Sequence, residues 1–147
     1  MRILILNGPN INMLGKRETD IYGNMFYEEL CKELTEFADA QNVEIEIFQS
    51  NVEGEIIKKI HDAYEKFDGI IINPGAFTHY SYAIYDAIKA VNIPTIEVHI
   101  SNIYNREEFR RKSVIAPSCI GQITGLGKYS YILAISYFSK GELKWTY

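Results

Sequence analysis

The chain has 147 residues, 47% of them hydrophobic and 23% charged, with a formal net charge of −4. That length suits one domain with a full core, and the balance of residue types excludes a disordered or fibrous chain. The acidic character argues against a nucleic-acid partner, which would leave a basic stripe, and no apolar run is long enough for a signal-peptide core or a membrane span.

In chain order, Ile3-Leu4-Ile5-Leu6 reads as a short buried strand. A long connection follows, from Asn7 to Gly23, and loops of that length in a compact domain are usually functional lids or disordered segments. Its asparagines, Asn7, Asn10 and Asn12, suit turns or ligands through their side-chain amides. Arg17 and Tyr22 allow a guanidinium to lie beside a phenol, which favours the phenolate; a solvated arginine and a packed tyrosine are the other reading. Phe26, Leu30, Leu34, Phe37 and Ala38 recur at helical spacing and predict a helix over about 25–40.

Val43 to Phe48 alternates and reads as a strand, with Ser50 or Asn51 placed to cap a helix whose apolar face is Ile56, Ile57, Ile60, Tyr64 and Phe67. Gly69-Ile70-Ile71-Ile72 is a buried strand stopped by Asn73-Pro74-Gly75, and a helix resumes near Thr78. Ile93 to Ile100 is the next strand, Asn105 to Glu108 has capping-box spacing, Val114 to Thr124 holds a last strand, and Tyr129 to Phe138 closes the chain with a helix. Cys31 and Cys119 have neither metal-ligand nor redox spacing, which predicts two reduced, buried thiols in a cytoplasmic protein. The tail, 140–147, with Trp145, finds no place in this arrangement.

Strand and helix alternate five times, which predicts a doubly wound parallel sheet with helices on both faces. The natural choice at this length is a flavodoxin-like α/β domain spanning 1–147, five strands in the order 2-1-3-4-5, with a lid loop over about 15–24.

Ligands of such folds bind beyond the carboxyl ends of the strands, where this chain places Asn7, Asn51, Asn73 and the segment Glu97-Val98-His99-Ile100-Ser101-Asn102. Glu97 and His99 share a strand face, so the carboxylate can orient the ring and favour its charged form, preparing a general acid; a core histidine bonded to a carbonyl is the alternative. His79, at the start of the predicted helix, shares a helical side with Tyr82 and Asp86. Asp86 falls two turns along, on the order of 10 Å from the helix start, and geometry alone favours a solvated aspartate. Arg106 and Arg110 point to one side, and one of them can clamp an anionic substrate, whereas His61 borders an apolar face and reads as structural. Arg17, His79, His99 and Arg110 meeting at one end would make a positive pocket on a negative body, suited to a small carboxylate.

With these residues in view, the chain closely resembles the type II 3-dehydroquinate dehydratases of the shikimate pathway. The resemblance is carried by Asn7-Gly8-Pro9-Asn10, Arg17-Glu18 with Tyr22-Gly23, Gln49-Ser50-Asn51, Asn73-Pro74-Gly75-Ala76-Phe77-Thr78-His79, Glu97 to Asn102 and Arg106-Glu107-Glu108-Phe109-Arg110. It implies dehydration of 3-dehydroquinate to 3-dehydroshikimate by anti elimination through an enolate, with no cofactor and no metal. Tyr22 would be the base, Arg17 would favour its phenolate, and His99, supported by Glu97, would be the acid. Asn10 and Asn73 would place a water or enolate oxygen. Asn73, His79, the backbone of Ile100 and Ser101, and Arg110 would bind substrate. Asp86 would reach a neighbouring subunit's site in a homododecamer built from trimers. Val52 and Arg111-Lys112 depart from the family's commoner histidines, at positions that carry none of this chemistry.

A flavin- or phosphate-binding module on the same fold is the rival. It wants a glycine- or hydroxyl-rich loop after the first strand, but here Pro9 removes an amide donor and the segment from Asn7 to Gly15 holds no serine or threonine. A phospho-receiver would need acidic strand ends, where this chain has asparagine and histidine.

Overall fold

Strand β1, Arg2–Asn7, runs inside a parallel sheet and divides its side chains between two cores. Ile3 and Ile5 enter one core, Leu4 and Leu6 the other, and all four are fully buried. A strand covered on both faces needs such an uninterrupted apolar run. Strands β2 (Glu44–Gln49), β3 (Gly69–Asn73), β4 (Thr95–His99) and β5 (Gly121–Thr124) complete a five-stranded sheet in the order β2-β1-β3-β4-β5, each neighbouring pair parallel. This is the flavodoxin-like order expected from the alternation. The computed structural model describes residues 1–16, 20 and 24–141. Arg17, Tyr22 and Trp145, with part of the expected lid and nearly all of the tail, lie outside the described residues.

Helices α1 (Tyr27–Ala40) and α4 (Tyr129–Ser139) cover one face. They bury Leu30, Leu34, Ala134 and Ile135 against Ile3, Ile5 and Ile71. Helices α2 (Glu53–Asp62) and α3 (Tyr82–Val91) cover the other, with Ile56, Ile60, Ile84 and Ile88 against Leu4, Leu6, Ile70 and Ile72. Each of these leucines and isoleucines contributes about 1.5–3 kcal/mol by leaving water. Truncating one of them, Leu34→Ala for example, would cost about 2–5 kcal/mol once the cavity is counted.

Several boundaries depart from expectation. Helix α2 follows Val52, which has no side-chain cap, because Ser50 and Asn51 are used elsewhere. Ser50 Oγ accepts from the Val52 N–H at 2.9 Å, and Asn51 Oδ1 accepts from the Asn10 N–H at 2.9 Å. The helix ends at Asp62, leaving Tyr64 and Phe67 beyond it, and His61 is exposed rather than packed. After β3, Gly75 at φ +58° opens a 3-10 turn, Gly75–His79, so His79 closes a turn instead of opening a helix. Ser81 decides this, since its Oγ accepts from the Ile84 N–H at 3.0 Å and fixes the start of α3 at Tyr82. Asp86 is therefore one turn into α3, not two.

Asn105 to Glu108 forms no capping box. Asn102 caps the 3-10 turn Ile103–Asn105 through the Tyr104 N–H at 3.1 Å, and a separate turn, Glu108–Arg111, follows the extended Arg106. Strand β5 begins only at Gly121 because Ala116–Ser118, containing Pro117, forms another 3-10 turn. Cys31 and Cys119 are free thiols but only half-buried.

Candidate active site

Asn7 and Asn73 sit side by side at the ends of β1 and β3, where the strand order reverses. Tyr131, reaching in from α4, joins them: its hydroxyl donates to Asn7 Oδ1 at 2.7 Å and accepts from Asn73 Nδ2 at 2.8 Å. Asn73 Oδ1 accepts the Gly75 N–H at 3.2 Å, so both ends of that amide are held. The loops after β1 and β3 pack directly on each other. A Cβ on Gly8 would lie 2.3 Å from the Pro74 carbonyl oxygen, and only glycine permits that approach. Burial pushes the phenols of Tyr27 and Tyr131 upward, and both stay neutral.

Above this floor opens a pocket of about 110 Å³. Among the residues expected at the site, Asn10, Asn73, His79, His99, Ile100, Ser101 and Arg110 line it. Asn10 holds its place with φ +68°, a left-handed conformation that asparagine tolerates, and with its N–H bonded to Asn51. Beyond β4 the chain is turned over the pocket by its carbonyls: Ser130 Oγ donates to His99 O at 2.9 Å, the Gly127 N–H to Ile100 O at 3.0 Å and Thr124 Oγ1 to Ser101 O at 2.9 Å.

His99 is 5% exposed and Glu97, behind it, 0%. His99 Nε2 lies 2.6 Å from Glu97 Oε1 and donates to it, so Nδ1 is the ring nitrogen that serves the pocket. Burial alone would raise the Glu97 carboxyl, but the hydrogen bond and charge of His99, followed by the hydroxyls of Thr78 and Ser113, outweigh it and hold the carboxyl below its ordinary value. Thr78 Oγ1 donates to Oε1, as does Gln122 Nε2 at 3.1 Å, and Ser113 Oγ lies 2.8 Å from Oε2. A buried anion with this many donors is satisfied. Beside it, burial and then the Glu97 charge push the Cys119 thiol up to about 12, which keeps it protonated.

His79 Nδ1 donates to the Lys112 carbonyl at 2.8 Å, which leaves Nε2 as an acceptor when the ring is neutral. Burial lowers its proton affinity, helped by the charges of His99 and Arg110 and opposed by the Lys112 bond. Arg106 and Arg110 both reach the pocket wall, which answers the open choice between them: both are there. Arg110 Nε donates to Glu107 Oε2 at 2.9 Å, and Arg106 Nη1 approaches Ser101 Oγ at 3.5 Å. Two guanidiniums and two histidines around one small cavity favour an anionic guest.

Asp86 does not join the pocket; it is exposed on α3, near the exposed Tyr82. The chemistry expected of Arg17 and Tyr22 lies outside the described residues. Sequence reasoning missed Thr78, Ser113 and Gln122 around Glu97 and Tyr131 between the asparagines, because each acts from a distant part of the chain. Among the described residues, no group of three or more His, Cys, Asp or Glu side chains is placed to hold a metal ion, and no helix is long and apolar enough to cross a membrane.

A doubly wound parallel sheet with a buried carboxylate–histidine pair opening onto a cationic pocket at its switch point defines an enzyme site for a small anion. The chain belongs to the class II dehydroquinase family, whose profile, Dehydroquinase class II, matches residues 1–139. It is 62% identical over 136 residues to the 3-dehydroquinate dehydratase of Clostridium acetobutylicum, covering 92% of this chain and 94% of that protein. It is 66% identical over 135 residues to the 3-dehydroquinate dehydratase of Caldicellulosiruptor bescii, covering 91% and 93%. The crystal structure of the type II dehydroquinase from Butyrivibrio crossotus superposes with a TM-score of 0.93 at 55% identity, covering 96% of this chain and 98% of that one.

Proposed function

We propose that this chain dehydrates 3-dehydroquinate to 3-dehydroshikimate by anti elimination through an enolate, with Tyr22 as base and His99 as acid. The activity, that of a carbon–oxygen hydro-lyase, follows from family membership and from close relatives named 3-dehydroquinate dehydratase. The observation that carries the division of labour is the Glu97–His99 pair, 2.6 Å apart, with Nδ1 left for the pocket.

The proton beside a ketone is weakly acidic, so its removal asks for a strong base held close. A tyrosine at its ordinary value near 10 is phenolate roughly one time in a thousand at neutral pH, and the guanidinium of Arg17 on the same loop favours that form. The enolate oxygen is met by Asn10 and Asn73, directly or through a water. His99 then gives its Nδ1 proton to the departing hydroxyl and is left neutral, its Nε2–H still bonded to Glu97. Asn73, His79, Arg110 and the backbone of Ile100 and Ser101 hold the substrate, with His79 Nε2 placed to accept from a substrate hydroxyl. Arg106, on the same wall, adds positive charge beside the substrate carboxylate.

We further infer one catalytic domain over 1–147 that works in the cytoplasm without a cofactor, as a homododecamer of trimers in which Asp86 reaches a neighbouring subunit's site. The exposure of Asp86 outside its own pocket supports that reading. Adding 3-dehydroquinate to the purified protein tests the activity: the ultraviolet absorbance of a conjugated enone should rise, and survive chelator and borohydride. Loss on borohydride with substrate covalently trapped would point to a lysine-dependent mechanism instead.

A further inference from the structure

The carboxylate behind His99 has more donors around it than an ion pair requires, and one of them, Ser113, is held as a donor by its own backbone partners. Ser113 Oγ accepts the Ala116 N–H at 2.8 Å and the Ile115 N–H at 3.2 Å. A hydroxyl oxygen has two lone pairs and one proton. With both pairs taken by backbone amides, the proton is left for Glu97, whose Oε2 lies 2.8 Å and Oε1 3.0 Å away. Gln122 Nε2 at 3.1 Å can only donate, and Thr78 Oγ1 donates to the same Oε1. A protonated Glu97 would find no acceptor in Ser113 or in Gln122 Nε2, so each of these bonds favours the anion.

We propose that Ser113 is a positioning residue that locks Glu97 as an anion, so that the proton shared between Glu97 and His99 stays on the ring. The inference rests on the reading of His99 as the acid. Were Glu97 to take the Nε2 proton, His99 would face the substrate as a neutral Nδ1–H ring, a far weaker acid than imidazolium. With the lock in place the Nδ1–H bond breaks toward the leaving hydroxyl, the carbon–oxygen bond breaks with it, and the enolate electrons form the new double bond. Water leaves, and neutral His99 keeps its Nε2–H on Glu97. The depressed carboxyl of Glu97 agrees with this arrangement. The other charged or titratable groups facing the pair are His79 on the 3-10 turn, the Cys119 thiol, and Arg106 and Arg110 across the pocket. Cys119 stays a thiol and a guanidinium offers donors only, so neither supplies a proton acceptor for Glu97.

The test reads the Glu97 carboxyl carbon by NMR in the substrate-free protein, together with the pH profile of kcat. In the wild-type protein the carboxyl should keep its ionised shift from pH 8 to pH 5. In Ser113→Ala it should move toward the protonated shift within that range. The same variant should lose about tenfold in kcat at pH 8, with KM within twofold and the high-pH limb displaced to lower pH, short of the ~10²–10⁴-fold loss of an acid–base group itself. Ser113→Thr, which keeps the hydroxyl, should restore both readouts. If Ser113→Ala does not fold, Gln122→Met removes a different donor and should move both readouts the same way by less. A wild-type Glu97 that protonates above pH 5, or a folded Ser113→Ala with an unmoved carboxyl shift and profile, overturns the lock. Because the carboxyl is read without substrate, an inactive protein with a locked Glu97 contradicts the dehydratase reading alone.

Discussion

The hydroxyl of Tyr131 lies 2.8 Å from Asn73 Nδ2 and ties a pocket-lining amide to the buried side of the sheet. The same hydroxyl reaches Asn7 Oδ1 at 2.7 Å, so one phenol bridges the two asparagines where the strand order reverses. Tyr131→Phe keeps the ring and leaves both amides short of a partner. It should destabilise the protein by about 1–3 kcal/mol, the cost of buried polar groups left unpaired. Denaturant unfolding measures this, and a change below about 0.5 kcal/mol would show that water or a rotated amide replaces the bond.

Glu97 sets a pH dependence whose sign follows from the depression of its carboxyl. Burial raises it, but His99, Thr78 and Ser113 more than reverse that effect. The unfolded chain therefore binds the Glu97 proton first as pH falls. The stabilisation is present in full above the ordinary carboxylate value and is lost as pH drops through the folded one. Glu97→Gln should be less stable at pH 7 and lose less on going to pH 3. Unfolding curves at pH 7, 5 and 3 check this, and parallel losses in both proteins would assign the acid sensitivity elsewhere.

Much of the architecture is legible in the sequence because burial on both sheet faces forces nearly continuous apolar strands, as in Ile3 to Leu6 and Ile70 to Ile72. The site is legible where chemistry sits at strand ends, at Asn73 and at Glu97 with His99. Local turn chemistry was harder to read. The strong helical pattern after His79 makes that residue read as helical, yet Ser81 caps the helix two residues later. Asn102, not Asn105, took the capping role. Ser113 meets Glu97 across 16 residues and Tyr131 meets Asn73 across 58, pairings that no local pattern announces.

Gly75 stands at φ +58° with its absent Cβ only 2.9 Å from the Pro9 carbonyl oxygen. Gly75→Ala combines a left-handed backbone with a clash between the two loops that floor the pocket. A loss of more than about 1 kcal/mol is expected, together with weakened substrate binding. Unfolding curves and KM report the two effects separately, and a variant equal to the wild type in both would mean that the loops part without cost.

Asp86 is exposed on α3 and stands apart from its own pocket. An ordinary surface aspartate changes stability by no more than about 0.5 kcal/mol when replaced. Asp86→Ala should do more if it acts across a subunit contact: size-exclusion chromatography should show a smaller assembly, or turnover should fall in the intact one. An unchanged profile with unchanged activity would remove Asp86 from any neighbouring site.

The central claim is that two different groups move the two protons, Tyr22 taking one from carbon and His99 giving one to oxygen. Proton NMR of His99→Ala with 3-dehydroquinate in deuterated water follows both events in one sample. Product formation should fall by about 10²–10⁴-fold, the range for a lost acid–base group, while exchange of the substrate's C2 proton continues, because Tyr22 still forms the enolate. Product formation within a few-fold of the wild-type rate, or exchange lost in step with it, would contradict the assignment of separate acid and base.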